Sequence, residues 1–291
     1  MTLTDRVEAW RARGRTEDVG GRDIHVFTRD GREPVLLLLH GFPSSSYDWR
    51  LLLEEETDHA VLAFDCLGFG LSEKPRNHYY MLAEQADIAE ALVARHAPQK
   101  HIFLVGHDMG TSVATELMAR DLEGALEMNA VGALLFNGSM IQGAASPTLA
   151  QRLLRGTLGP LVARLSSERF FRAQFGTIFS SQHPLTDEEA ADQWCLITHN
   201  GGHRLGHRLI SYMDERERYA ERWYEALRKW SKPLHLAWGM VDPVATPRVL
   251  DGVRALRPSA PLTPFEDLGH YVQIEDPGRL ASVLREAARA R

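Results

Sequence analysis

Asp108 stands at the centre of the pattern with the clearest chemical meaning in this sequence, Gly106-His107-Asp108-Met109-Gly110. The pattern follows the apolar run Ile102–Val105 and precedes a segment of small residues, Thr111–Ala119. Glycines on both sides of a central residue permit a crowded turn from a strand into a helix, which raises the central side chain above the strand end. An Asp carboxylate there is ionised at neutral pH, because its reference pKa is about 3.9.

Such a carboxylate can attack an sp³ carbon that carries a strained or good leaving group, and the product is an ester of Asp108. A second step must hydrolyse this ester, with a base that activates water and donors that hold the oxyanion. The simpler interpretation is that Asp108 only caps the helix that follows. The partners found elsewhere in the sequence favour the chemical interpretation.

Two later motifs contain an acid and a histidine that suit the second step. Asp242 lies in Trp238-Gly239-Met240-Val241-Asp242-Pro243, and His270 ends Asp267-Leu268-Gly269-His270; each motif follows an apolar run. We expect His270 to activate water and Asp242 to orient it and stabilise its cation. Taken singly, these residues are equally consistent with an Asp-Pro turn and a loop histidine. The order nucleophile, acid, histidine at successive strand ends makes the combination more specific.

The motif His40-Gly41-Phe42-Pro43 follows the apolar run Val35–Leu39 and predicts an oxyanion-binding loop. We expect the backbone N–H groups of Phe42 and Met109 to face the ester oxygen of Asp108. His40 is then expected to brace the loop rather than to act as a base.

Short apolar runs alternate with helical segments through most of the chain, which predicts an α/β fold with a mostly parallel sheet. The runs are largely continuous, as in strands buried on both faces. They comprise 24–27, 35–39, 61–64, 102–105, 131–136, 234–238 and 261–265. Between them the sequence predicts helices over 80–96, 111–120, 247–256 and 277–289.

The alternation stops after residue 139 and resumes at residue 233. We therefore predict a sheet-containing core formed by residues 1–139 and 233–291, interrupted by a helical cap at 140–232. Within the cap, Asp214–Arg222 carries charges of alternating sign, which is typical of a solvated helix face.

Composition excludes several classes of protein. The 291 residues include 33 Lys and Arg and 39 Asp and Glu, for a net charge of −6, so we expect no nucleic-acid partner. No apolar run is long enough to span a membrane, so no membrane partner is expected either. The distant cysteines Cys66 and Cys195 suit a reducing compartment, and residues 1–13 lack the apolar stretch of a signal peptide, which together predict a cytoplasmic protein. The oligomeric state stays open.

His199, His203 and His207 are spaced four apart, as metal ligands on a helix can be. Glycines at 201, 202 and 206 interrupt the segment, and no Glu follows His199. We therefore expect no metal site there.

With Asp as the elbow residue, the chain resembles α/β-hydrolases of the epoxide hydrolase and haloalkane dehalogenase group. The segment Asp65–Ser72 also resembles this group's Asp-x-x-Gly-x-Gly-x-Ser turn, and residues 200–223 look like the cap of hydrolases related to mesoderm-specific transcript protein. The resemblance implies an α/β-hydrolase fold with an inserted cap. It also implies a small hydrophobic substrate and neither a metal nor an organic cofactor.

Two positions help to choose within the group. Haloalkane dehalogenases usually hold the halide with Asn in the oxyanion loop and Trp after the nucleophile, where this chain has Phe42 and Met109. Epoxide hydrolases use cap tyrosines to protonate the leaving oxygen, and Tyr212 fits one of them. The segment Phe170–Phe175 has Phe where a second Tyr is expected.

These features make epoxide hydrolysis to a diol the preferred expectation. Haloalkane dehalogenation and ester or lactone hydrolysis are the enzymatic alternatives, and a non-catalytic binding protein on a hydrolase scaffold is the alternative of another class. Tyr212 is equally consistent with a packing aromatic in the cap.

Overall fold

A computed structural model describes residues 2–289 and contains one eight-stranded sheet. The strands are β1 (Arg15–Val19), β2 (Arg22–Arg29), β3 (Arg32–Leu39), β4 (His59–Phe64), β5 (His101–His107), β6 (Asn129–Phe136), β7 (Leu234–Gly239) and β8 (Leu262–Phe265).

Fourteen α-helices occur within the described residues. They are α1 (Asp5–Arg13), α2 (Arg50–Glu55), α3 (Leu82–His96), α4 (Met109–Leu122), α5 (Leu149–Arg155), α6 (Gly159–Arg164), α7 (Glu168–Gly176), α8 (Asp187–Thr198), α9 (Gly206–Leu209), α10 (Tyr212–Arg218), α11 (Ala220–Lys229), α12 (Pro247–Leu256), α13 (Val272–Glu275) and α14 (Pro277–Arg289). Two 3₁₀ helices cover Ser46–Trp49 and His199–Leu205.

The strand order is β1-β2-β4-β3-β5-β6-β7-β8. Strand β2 pairs antiparallel with both β1 and β4, and all other neighbours are parallel. Parallel strands end at the same edge of a sheet, so the residues after β3, β5, β6, β7 and β8 meet there. This edge carries every residue that the motif analysis assigned to the core chemistry.

The central strands are buried on both faces. In β3, Leu37 and Leu39 belong to one apolar cluster, whereas Leu36 and Leu38 belong to a second. Side chains alternate between the two faces of a strand, so the two clusters are the packed layers on opposite sides of the sheet. The predicted α/β-hydrolase fold is confirmed, including its mostly parallel sheet.

Seven α-helices, α5–α11, lie between β6 and β7, where the sequence predicts a cap. The cap boundaries at 140 and 232 stay a prediction. The sequence pattern missed α1 and β1. The strand β1 is polar and mostly exposed, since it is an edge strand that contributes only Val19 to the core.

Candidate active site

Asp108 lies between β5 and α4 with a backbone that few non-glycine residues adopt, φ 44° and ψ −111°. The turn is crowded: a Cβ on Gly110 would lie 2.0 Å from the carbonyl oxygen of Leu39. Because only glycine avoids this clash, Gly110 allows α4 to start directly against β3. The Asp108 side chain is thereby held at the sheet edge, and the residue is 1% exposed.

The two carboxylate oxygens of Asp108 have different surroundings. Oδ2 accepts a hydrogen bond of 2.9 Å from the backbone N–H of Phe42, whereas Oδ1 is buried without a hydrogen-bond partner among the described residues. Gly41 permits this approach, since a Cβ there would lie 2.8 Å from the Cβ of Asp108. Met109 is the first residue of α4, where backbone N–H groups have no partner within the helix.

His270 and Asp242 form a buried pair at the same edge. The Nδ1 of His270 lies 2.6 Å from Oδ2 of Asp242. Burial lowers the pKa of His270, but the attraction of Asp242 outweighs it and the net pKa is raised. Burial raises the pKa of Asp242, and the charge and hydrogen bond of His270 reverse this, so that pKa is lowered. With Nδ1 held by the carboxylate, Nε2 is the nitrogen available to accept a proton.

Asn137, which the motif analysis did not select, connects this pair to β6 and β7. Its Nδ2 donates to Oδ2 of Asp242 at 2.8 Å, and its Oδ1 accepts from the N–H of Gly239 at 2.9 Å. The other Asp242 oxygen accepts from the N–H groups of Val244 and Ala245, at 2.7 and 3.1 Å. Asp242 therefore shapes its own turn and also holds His270. The signal in the sequence was an Asn directly after an apolar strand.

Arg216 is the main site residue that sequence reasoning missed. Its Nη2 donates to the backbone oxygen of Asp108 at 2.8 Å, and its Nε donates to Oγ of Ser112 at 2.8 Å. The same Nη2 lies 3.7 Å from Oδ1 of Asp108, and the Arg216 side chain is only 8% exposed. Its guanidinium also lies 4.7 Å from the ring centre of Tyr212. One side chain from the inserted helices thus contacts both the turn at Asp108 and the predicted proton donor Tyr212.

The expectation that Asp214–Arg222 is a solvated face was wrong for three of its residues, Glu215, Arg216 and Ala220. Glu215 and Arg216 are buried because α10 lies against α3 and α4. The Oε2 of Glu215 accepts from the N–H of Leu82 at 2.9 Å, at the start of α3. Burial raises the pKa of Glu215 to about 7. The spacing of Tyr212, Glu215 and Arg216 places all three on one face of α10.

Tyr212 lies near the loop that follows β3. Its ring centre is 5.6 Å from that of Phe42, and its Oη accepts a hydrogen bond of 3.4 Å from Nε2 of Gln151. Burial raises the pKa of Tyr212, with the negative charge of Asp108 adding to the effect. The phenol is therefore protonated at neutral pH, as a proton donor must be.

Two further histidines at the sheet edge are neutral braces. The Nε2 of His40 accepts from the N–H of Cys66, and its Nδ1 donates to the oxygen of Gly41, both at 2.9 Å. His107 lies 2.9 Å from the backbone oxygen of His270 through Nε2. Burial lowers the pKa of both rings, that of His107 to about 3. These contacts agree with the expected bracing position of His40.

A cavity of about 1030 Å³, its open mouth included, lies between the sheet edge and the inserted helices. The core contributes Phe42, Pro43, Val244 and His270 to its wall. The inserted helices contribute mainly apolar side chains, among them Leu154, Val162, Phe170, Phe171, Phe175 and Trp194. A largely apolar cavity with few polar groups suits a small hydrophobic molecule. Gln151 links the wall to Tyr212, since it both lines the cavity and hydrogen-bonds that hydroxyl.

The three regularly spaced histidines do not share one helix. Asn200 and Gly201 have positive φ angles of 52° and 76°, which break the segment between His199 and His203. Over residues 2–289, no group of three His, Cys, Asp or Glu side chains is arranged to hold a metal ion. In the same range, no helix is long and apolar enough to cross a membrane.

These observations define an α/β-hydrolase. A model of the alpha/beta hydrolase family matches residues 36–283, and the chain belongs to that family.

Two curated relatives match along nearly the whole of this chain. LipZ of Mycobacterium tuberculosis (strain ATCC 25618 / H37Rv) is 49% identical over 271 residues, which cover 93% of this chain and 94% of LipZ. Mesoderm-specific transcript homolog protein of Bos taurus is 34% identical over 290 residues, which cover 94% of this chain and 85% of the bovine protein.

Solved structures with the same fold include the haloalkane dehalogenase DatA of Agrobacterium tumefaciens C58. The TM-score is 0.77 at 20% identity, over 94% of this chain and 95% of DatA. For the epoxide hydrolase CorEH the TM-score is 0.76 at 19% identity, over 94% of this chain and 97% of CorEH. At these identities the likeness concerns the fold.

Proposed function

We propose that this hydrolase opens a small apolar epoxide through a covalent ester of Asp108 and releases a diol. The observation that carries the proposal is the unequal pair of Asp108 oxygens. Oδ2 is held by the Phe42 N–H, while Oδ1 is buried with no hydrogen bond within the described residues, and we therefore assign the attack to Oδ1. A serine-type elbow would instead need a base to activate its hydroxyl.

In the first step, Oδ1 of Asp108 forms a bond to a ring carbon and the C–O bond of the epoxide breaks. The electron pair moves to the epoxide oxygen, which takes the phenolic proton of Tyr212. Arg216 is a positioning residue here, because it fixes the backbone of Asp108 and lies against the Tyr212 ring. The products of this step are an alkyl ester and a Tyr212 phenolate.

In the second step, Nε2 of His270 takes a proton from water, and the hydroxide attacks Cγ of Asp108. The Phe42 and Met109 N–H groups stabilise the resulting oxyanion. The tetrahedral intermediate then collapses and expels the alkoxide, which takes the proton from His270. The newly formed Asp108 carboxylic acid returns a proton to Tyr212, so that epoxide and water have become diol.

Haloalkane dehalogenation is the second candidate. Phe42 and Met109 offer no side-chain N–H to a departing halide, which disfavours it. Arg216 supplies a buried positive charge 3.7 Å from Asp108, however, and such a charge can stabilise a leaving anion.

Intact-mass analysis of His270→Gln tests the covalent mechanism. Incubated with a panel of epoxides and haloalkanes, this variant should gain the mass of the bound alkyl group, because the ester forms but is not hydrolysed. Asp108→Ala should gain no mass and show no turnover. His101→Gln is the matched control, since this side chain is 55% exposed at the far end of β5. It should turn over without an adduct.

The products separate the alternatives. Diol release supports the epoxide reaction, and halide release supports the second candidate. Turnover of esters or lactones without an alkyl adduct would indicate ester or lactone hydrolysis in place of the mechanism through an alkyl ester of Asp108. Full activity of Asp108→Ala, or an active wild type whose His270→Gln form never gains mass, would refute the Asp108 ester. Binding of panel compounds without turnover would indicate a binding protein.

A further inference from the structure

Helices α5 and α6, with the residues that flank them, present an unusual outer surface. Five leucines there are 40–69% exposed: Leu149, Leu153, Leu158, Leu161 and Leu165. Among the described residues, nine large apolar side chains are at least 40% exposed, and these leucines are five of them. Clustered exposed apolar side chains with a polar rim mark contact surfaces, whereas scattered ones are ordinary. We call these five residues the leucine surface.

The opposite faces of the same helices form the cavity wall. Gln151 and Leu154 of α5 and Val162 and Ala163 of α6 line the cavity. The leucine surface is therefore the outside of a thin wall whose inside faces the candidate active site.

The stretch of sequence that carries the leucine surface is rich in arginine, although the net charge of the chain is −6. Arg152, Arg164 and Arg169 are exposed, and none of them has an ion pair among the described residues. Arg155 and Arg172 in the same stretch are paired with acidic residues. From residue 141 to residue 182, Glu168 is the only acidic residue in the sequence.

We propose that the leucine surface docks on a lipid surface that contains anionic headgroups. Leucines would enter the boundary of headgroups and acyl chains while the three unpaired arginines meet the headgroup charges. A second copy of this chain is a poorer fit, because two such surfaces face to face would bring arginines against arginines. This proposal concerns peripheral docking and does not depend on the reaction proposed above. The expectation of no membrane partner rested only on the lack of a spanning segment.

Co-sedimentation of the full chain with vesicles tests the docking. One set is pure phosphatidylcholine, and the other is one-third phosphatidylglycerol. The wild type should bind the anionic vesicles, and added salt should weaken the binding. Removing three charges with Arg152→Gln, Arg164→Gln and Arg169→Gln together should weaken binding about a hundredfold, at about 1 kcal/mol per arginine. Leu158→Asp with Leu161→Asp should weaken it about tenfold or more.

The controls make the same change of charge, or replace a single exposed leucine, elsewhere in the chain. Arg228→Gln, Arg248→Gln and Arg254→Gln together give an identical net charge but lie on α11 and α12. Leu122→Asp alters a leucine that is 42% exposed at the end of α4. Both controls, and Asp108→Ala, should bind like the wild type. Thermal midpoints verify that every variant folds.

Three results would overturn the proposal. One is a wild type that stays in the supernatant with anionic vesicles. Another is equal loss of binding in the surface variants and their matched controls, which would indicate a general charge effect. The third is a wild type that forms a dimer in sedimentation velocity and does not bind vesicles, while the double variant Leu158→Asp with Leu161→Asp is monomeric. That result would assign the leucine surface to a second copy.

Discussion

Arg216→Met is the most informative single change in this protein under the proposed mechanism. The variant keeps an unbranched apolar stem but removes the guanidinium that contacts Asp108, Ser112 and Tyr212. None of these contacts involves His270 or Asp242. The loss should therefore affect formation of the ester more than its hydrolysis.

The contacts of Arg216 set the size of the effect. Two hydrogen bonds from a charged donor are lost, and each contributes about 1.5–3 kcal/mol. The backbone oxygen of Asp108 keeps its bonds from the N–H and Oγ1 of Thr111, so only part of this energy should be lost. If about 3 kcal/mol is lost from the transition state for attack, ester formation slows about a hundredfold.

Single-turnover kinetics separates the two steps. Adduct mass against time reports ester formation, and isolated adduct diluted into buffer reports hydrolysis. Arg218→Met, an exposed position on the same helix, is the matched control and should resemble the wild type. Arg216→Lys, which retains the charge but not the forked donors, should fall between Met and wild type. Equal slowing of both steps, or no slowing of either, would refute the positioning role of Arg216.

Three other changes follow from the pKa shifts and contacts of the site. Ester hydrolysis needs neutral His270, so the rate of hydrolysis should fall as pH drops below the raised pKa of His270. Asp242→Asn should move this fall to lower pH and reduce the rate of hydrolysis about 10³- to 10⁴-fold. Decay of the adduct, followed at a series of pH values, measures both effects. Burial raises the pKa of Glu215 in the folded state from its ordinary value of 4.5 to about 7, so its buried charge costs stability as pH rises through that interval. Glu215→Gln should stabilise the protein by about 3 kcal/mol at pH 8 and hardly at pH 5, measured by denaturant unfolding, and an equal gain at both would contradict the burial argument. Asn137→Ala removes one donor to Asp242 but leaves its two backbone donors. Ester hydrolysis should therefore slow about tenfold while ester formation is unchanged. Equal slowing of both steps would count against a role of Asn137 that acts through Asp242.

The fold and the sheet-edge residues could be predicted because they depend on local patterns. Continuous apolar runs reveal buried parallel strands, and a short motif that contains Asp108, Asp242 or His270 follows β5, β7 or β8. The strand order then brings these residues together without any knowledge of side-chain packing. The strand β1 was not predicted, because its sequence, Arg-Thr-Glu-Asp-Val, contains only one apolar residue and so lacks the apolar run by which the other strands were found.

Arg216 and the leucine surface could not be predicted in this way. The repeated charges of Asp214–Arg222 give no indication of which members face inward, since that depends on how α10 meets α3 and α4. Leucines spaced three and four apart in α5 and α6 are equally typical of a buried helix face. Only the packing of the inserted helices shows that these leucines lie outside and Arg216 inside.

The buried face of α10 is better explained by function than by stability. Glu215 and Arg216 are adjacent in the chain, yet each has other partners: Glu215 accepts from Leu82, and Arg216 donates to Asp108 and Ser112. Burying two ionisable side chains without pairing them costs free energy, and an apolar pair of similar volume would be at least as stable. The raised pKa of Glu215 is a direct expression of this cost. Under the proposed mechanism this cost has an explanation, because the same face directs the guanidinium of Arg216 at Asp108, so that the inserted helices would contribute to the chemistry of Asp108.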